Sequence, residues 1–140
     1  MLTQPSSCIK VLQHNVQHWK SRRINLINAY MQEKPDILLL NSHGLPNHEL
    51  VKIPGYTCYY QHNRSGQLHA GVAIAVKRGI QHKIHDDFHF TDTLSVKLMT
   101  TLGPVNLATT YIPPREGCII FPDLYKILRI PEPAYIVGDL

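Results

Sequence analysis

Four places in the sequence join reactive side chains to the end of an apolar run: Asn15, the triplet Asn41-Ser42-His43, Tyr111 and Asp139. They supply carboxamides, a hydroxyl, an imidazole, a phenol and a carboxylate, groups that hydrogen-bond a charged ligand or carry a proton to or from it. Singly, each has a plain structural explanation. Asn15 suits the start of a turn, Ser42 and His43 a loop ahead of Gly44, and Tyr111 the close of a strand. Asp139 after Gly138 suits a turn or a helix N-cap. Their common position at strand ends gives them a second meaning.

The elements that must position them can be read along the chain. Ile9, Val11 and Leu12 make Cys8–Leu12 a strand that breaks at Gln13-His14-Asn15. Ser21 is the expected N-cap of a helix whose apolar face is Ile24, Ile27 and Met31 with Leu26 and Tyr30 flanking, and Pro35 ends it. Ile37–Leu40 is a continuous apolar run, the pattern of a strand buried on both faces that a β-α-β crossover produces. Two such strands bring Asn15 and Asn41-Ser42-His43 to one edge of a sheet, where open α/β sheets bind ligands.

After a loop over Leu45–Pro54, Tyr56–Tyr60 and Ala70–Val76 read as an antiparallel hairpin turning at Asn63–Gly66. Gly71 in its second strand marks a bulge or a close backbone approach. Ile80–Ile84, Leu94–Leu98 and Val105–Tyr111 alternate as half-buried strands. A loop at Asp86–His89, a turn at Leu102-Gly103-Pro104 and a stop at Pro113-Pro114 punctuate them. Pro122 opens a short helix that buries Leu124, Ile127 and Leu128. Ala134–Val137 is a last buried strand, and an interior-looking strand so close to the end of the chain leads to the expectation of an unfinished domain. The expected architecture is an α/β sandwich with hairpins in the middle and crossovers at both ends.

The chain of 140 residues, 44% hydrophobic, is long enough for one domain with its own core. With 14 Lys and Arg against 10 Asp and Glu, its net charge of +4 is compatible with a polyanionic partner without demanding one. Cys8, Cys58 and Cys118 are far apart and form no Cys-x-x-Cys, which argues against a disulfide framework or a zinc site and for a reducing compartment. Histidines are abundant, but His14 with His18 and His82 with His85 fall in loop or strand, so they read as surface residues rather than zinc ligands. Met1–Lys10 has no apolar signal core, and the longest apolar run, Ala70–Val76, is too short to span a bilayer. The expectation is a soluble, intracellular protein.

Five segments in order, VLQHNV (Val11–Val16), KPDILLLNSHGL (Lys34–Leu45), AGVAIAVKRGI (Ala70–Ile80), TTYIPP (Thr109–Pro114) and YIVGDL (Tyr135–Leu140), resemble the endonuclease/exonuclease/phosphatase superfamily. Within it they look like the apurinic-type endonuclease domain of non-LTR, LINE-like or jockey- and I-element-like retrotransposons. The resemblance implies a partial α/β sandwich of that type, residues 1–140 forming an incomplete domain that lacks its C-terminal portion. It implies hydrolysis of DNA phosphodiester bonds with Mg²⁺ or Mn²⁺, a nuclear site of action, and, as partners, DNA, the missing C-terminal half and a downstream reverse transcriptase.

Phosphodiester hydrolysis needs a cation against the developing charge, a polarised in-line water and a donor for the leaving oxygen. By resemblance, Asn15 helps hold metal and phosphate, Tyr111 donates to the phosphate, and Asp139 orients or deprotonates the water or protonates the leaving group. Two departures follow. The family's metal-binding Glu stands where this chain has Ser42, a neutral group and a poor ligand for a hard cation. The family's later Asn and its Ser-Asp-His segment have no counterpart before Leu140. The expectation is therefore little or no nuclease activity from these residues alone. The rival readings are a catalytically dead nucleic-acid-binding remnant, a phosphatase or deadenylase branch of the same superfamily, and an unrelated interaction protein.

Overall fold

The computed structural model describes residues 8–45, 49–61, 71–85, 92–111, 126–127, 129 and 131–139, the last two of these, Gly138 and Asp139, through their backbone alone. The expected turn at Asn63–Gly66, the loop at Asp86–His89, the Pro113-Pro114 stop and most of the helix opened by Pro122 lie outside those residues.

Strand β1 (Val11–Asn15) runs on through the polar Gln13-His14-Asn15 instead of breaking there. Alternation explains the extension: Leu12 and His14 face the helix, while Gln13 faces the other way and hydrogen-bonds Asn41. Helix α1 (Trp19–Glu33) begins two residues before Ser21, so Ser21 is not its cap. His18 holds the cap position at φ 76 without a side-chain hydrogen bond to the helix's first N–H groups. The freed N–H groups find backbone partners instead, His18 on the Ser42 carbonyl and Trp19 on that of His43. The helix ends at Lys34, left-handed at φ 49, just ahead of Pro35.

The buried face of α1 departs from expectation at Ile24 and Trp19. Trp19, Leu26 and Tyr30 are buried, Ile27 and Met31 pack at the margin, and Ile24 is 68% exposed. β2 (Ile37–Asn41) is buried at every residue, as its apolar run requires. It pairs parallel with β1, in register from Val11 opposite Ile37 to Asn15 opposite Asn41.

β3 (Tyr56–Gln61) and β4 (Val72–Lys77) form the expected antiparallel pair, and β4 also pairs antiparallel with β2. The first sheet therefore has the order β1-β2-β4-β3. β5 (His82–His85), β6 (Asp92–Thr100), β7 (Gly103–Tyr111) and β8 (Ala134–Asp139) form the second in sequence order, with β7 and β8 parallel. β6 is longer than its alternating core, and β8 is a half-exposed edge strand rather than a buried one, with Tyr135 59% exposed. Of the short helix, Lys126 and Ile127 are helical, and Ile127 is buried against Ala108, Ala134 and Ile136.

The sheets pack face to face. Ile37 and Leu39 of β2 and Ile74 of β4 meet Leu94, Val96 and Leu107 of the second sheet. The opposite face of the first sheet, Leu38, Leu40, Ala73 and Ala75, is covered by α1 and the segment carrying Val51 and Ile53. That is an α/β sandwich. Among the described residues no helix is long and apolar enough to cross a membrane.

Candidate active site

Parallel pairing puts the C-terminal ends of β1 and β2 together, and likewise those of β7 and β8. Asn15 stands opposite Asn41, and Tyr111 opposite Asp139. What joins the two pairs is Asn41, fully buried. Its Nδ2 donates to Thr109 Oγ1 and to the Thr110 carbonyl on β7, each at 2.8 Å, and its Oδ1 accepts from Gln13 Nε2 at 2.7 Å. A carboxamide has the donors and acceptor to bridge two sheets in this way, and burial makes each bond costly to lose.

The bonding continues around the rim. Thr110 Oγ1 meets Thr93 Oγ1 at 2.8 Å, and the Thr93 N–H donates to Gln61 Oε1 at 3.1 Å. The Gln61 carbonyl faces His43 Nε2 at 2.8 Å. His43 Nδ1 accepts the Leu45 N–H at 3.0 Å, so Nε2 carries the ring proton and donates to Gln61. β2, β7, β6 and β3 are thus tied at one end by side chains.

Ser42 leaves the strand at φ 60 and is 3% exposed. Its N–H donates to the Gly71 carbonyl at 2.8 Å. Gly71, at φ 101, lies so close to the His43 ring that a β-carbon there would overlap it. This is the close approach expected of a glycine in that strand. The Gly71 N–H in turn donates to Asp92 Oδ2 at 3.1 Å, and Asp92 is buried directly across from Tyr111.

The sequence-predicted residues therefore share one edge: Asn15 exposed there, Ser42 and His43 buried behind it, Tyr111 buried at the end of β7, and the backbone of Asp139 beside Tyr111. Two histidines expected at the surface are built into the structure instead. His14 Nδ1 lies 2.8 Å from the Tyr30 hydroxyl, and His82 Nε2 lies 2.7 Å from that of Tyr59.

No family model matches the chain. By sequence it is 28% identical over 131 residues to the RNA-directed DNA polymerase from mobile element jockey of Drosophila funebris, covering 91% of this chain and 14% of that protein. The Drosophila melanogaster counterpart is 29% identical over 87 residues, 61% of this chain and 10% of that protein. By structure, the endonuclease domain of TRAS1, a telomere-specific non-LTR retrotransposon, superposes with a TM-score of 0.69 at 20% identity, over 94% of this chain and 59% of that one. An AP endonuclease from Archaeoglobus fulgidus gives 0.58 at 23% identity, over 85% and 46%. The chain has the endonuclease/exonuclease/phosphatase fold.

The metal expected of this fold does not fit the donors described. Asn41 has its carboxamide engaged on both sides, both His43 nitrogens are bonded, and Ser42 offers a neutral hydroxyl. Asp92 holds a backbone N–H, and among the described residues no three His, Cys, Asp or Glu side chains gather as a ligand set. A hard divalent cation takes anionic oxygens, and the end of β2 has none. The rim where these strands end also contains polar residues that carried no sequence signal strong enough to name: Gln13, Gln61, Asp92, Thr93, Thr109 and Thr110. The signal for them was faint, polar residues at inward positions near the ends of otherwise apolar strands.

Proposed function

We propose that this chain is an endonuclease-type domain of a mobile element, engaging the phosphodiester backbone of DNA at the rim formed by the ends of β1, β2, β7 and β8. The observation that carries the reading is the register that pairs Asn15 with Asn41 and Tyr111 with Asp139, locked together through Asn41. The jockey relatives and the TRAS1 endonuclease domain support the same reading. In this reading Asn15 and Tyr111 donate hydrogen bonds to the phosphate oxygens. Asp139 orients or deprotonates the attacking water or protonates the leaving oxygen. The partners are DNA and, as the jockey relatives suggest, a linked reverse transcriptase, with the nucleus as the site of action.

A divalent ion such as Mg²⁺ or Mn²⁺ would supply charge neutralisation. Ser42 leaves the rim short of the anion that would hold it, so nicking by these 140 residues is feeble. The test is conversion of supercoiled plasmid in Mg²⁺ or Mn²⁺ by the wild type, Ser42→Glu and Asp139→Ala. The expected result is wild-type activity close to that of Asp139→Ala, with a gain in Ser42→Glu. Robust wild-type nicking that Asp139→Ala abolishes would overturn the claim of weakness. A Ser42→Glu protein that neither nicks nor binds DNA would overturn the endonuclease reading itself.

The committed donors of Asn41 and His43 favour one second reading, DNA binding without cleavage. Salt-dependent DNA affinity with no nicking in any variant would select it.

A further inference from the structure

A groove of about 580 Å³ lies on the outer face of the first sheet, between α1, β3 and the segment 50–54. Its walls carry Arg23, Lys52 and Arg78, all exposed, and among the described residues no carboxylate lines it. Three other cations are ion-paired: Lys10 with Glu33, Lys20 with Glu49 and Lys97 with Glu132. Arg23, Lys52 and Arg78 have no such ion-pair partner among the described residues. Between them the lining is mostly apolar, with Ile27 half-buried, Ile53 buried, Leu50 41% exposed and the recessed rings of Trp19, Tyr56 and Tyr60.

An apolar trough edged by unpaired cations is complementary to a ligand that carries negative charge on an apolar frame. We infer that the groove docks an acidic peptide segment bearing an aliphatic or aromatic anchor, with Arg23, Lys52 and Arg78 meeting its carboxylates. A nucleic-acid strand fits less well. Single strands rely on exposed aromatic faces for stacking, and the rings here are recessed. Trp19 is 3% exposed, and Tyr56 and Tyr60 are half-buried. This surface is separate from the polar rim and does not depend on the endonuclease reading.

Cys58 makes the proposal testable inside the groove. Its thiol lines the cavity, half-buried, whereas Cys8 is exposed and outside it. The experiment is fluorescence anisotropy of the full chain with a short labelled peptide alternating Glu or Asp with Leu or Phe. In parallel, alkylation of Cys58 relative to Cys8 is read by peptide mapping. The expected result is a Kd on the order of 10 µM, slower alkylation of Cys58 alone, and binding weakened about tenfold by Arg23→Glu with Arg78→Glu. Three results would each overturn it: binding unchanged in the folded charge-reversed protein, binding without protection of Cys58, or a single-stranded oligonucleotide that protects Cys58 as well as the peptide does.

Discussion

Asn41 and Thr109, 68 residues apart in the chain, hydrogen-bond side chain to side chain at 2.8 Å and so fasten one sheet of the sandwich to the other. The bond sits at the end of the structure where Asn15, Ser42, Tyr111 and Asp139 come out of their strands. Replacing Asn41 with Ala leaves Gln13 Nε2 and the Thr110 carbonyl without their partner in a buried place. The expected loss is about 2–3 kcal/mol, measured by urea unfolding. A loss under about 0.5 kcal/mol would show that the bridge is ornamental.

Gly71 is held by two demands at once, a φ of 101 and the face of the His43 ring. Gly71→Ala is expected to cost roughly 2–4 kcal/mol. Adding His43→Ala removes the overlap but not the backbone strain, so the double variant should lose less than the two single losses added together. Strict additivity in thermal or urea unfolding would contradict the contact.

Acid should weaken the fold through His14. Burial, and then the Arg22 charge, hold its pKa below 6.5, while burial pushes Tyr30 up to about 12, so the phenol donates to a neutral imidazole. In the unfolded chain His14 regains its ordinary value and takes a proton first. Stability is therefore retained above about pH 6.5 and falls as the pH drops from there through the folded-state value. The urea midpoint should be lower at about pH 5.5 than at about pH 7.5, with a shallower slope in His14→Gln. An unchanged slope in that variant would remove His14 from the account.

How much of this was legible beforehand differs from element to element. Ile37–Leu40 announced a strand buried on both faces because no polar residue interrupts it, and Asn41 and Tyr111 announced strand ends because the apolar pattern stops on them, whereas the polar Gln13-His14-Asn15 hid the last three residues of β1. The face of α1 was legible only in part. Ile24, Ile27 and Met31 satisfy the helical period, and so do Trp19, Leu26 and Tyr30; packing against Leu38 and Leu40 chose between them. Thr93, Thr109 and Thr110 look like ordinary β-branched strand residues in sequence. Stacking of the two sheets makes Thr109 and Thr110 partners for Asn41, and the β6–β7 register makes the Thr93 and Thr110 hydroxyls partners for each other.

Asn106 on β7 is 1% exposed, and neither of its side-chain polar atoms has a hydrogen-bond partner. Replacing an unsatisfied buried carboxamide by a hydrocarbon of similar shape removes a desolvation penalty. Asn106→Leu should therefore raise stability by about 1 kcal/mol, read as a higher urea midpoint at unchanged slope. A loss of that size would mean that the carboxamide is bonded in solution.

The claim on which the functional reading rests is that a DNA phosphate is received where β1, β2, β7 and β8 end. Amide chemical-shift mapping of the labelled chain, titrated with a short DNA duplex at low salt, tests it most directly. The account predicts shifts concentrated at Asn15, Ser42, Tyr111 and Asp139, weakening as salt is raised. Shifts gathered instead at the far end of the sandwich, around the Thr100–Gly103 turn, or spread evenly over the exposed cations, would contradict it.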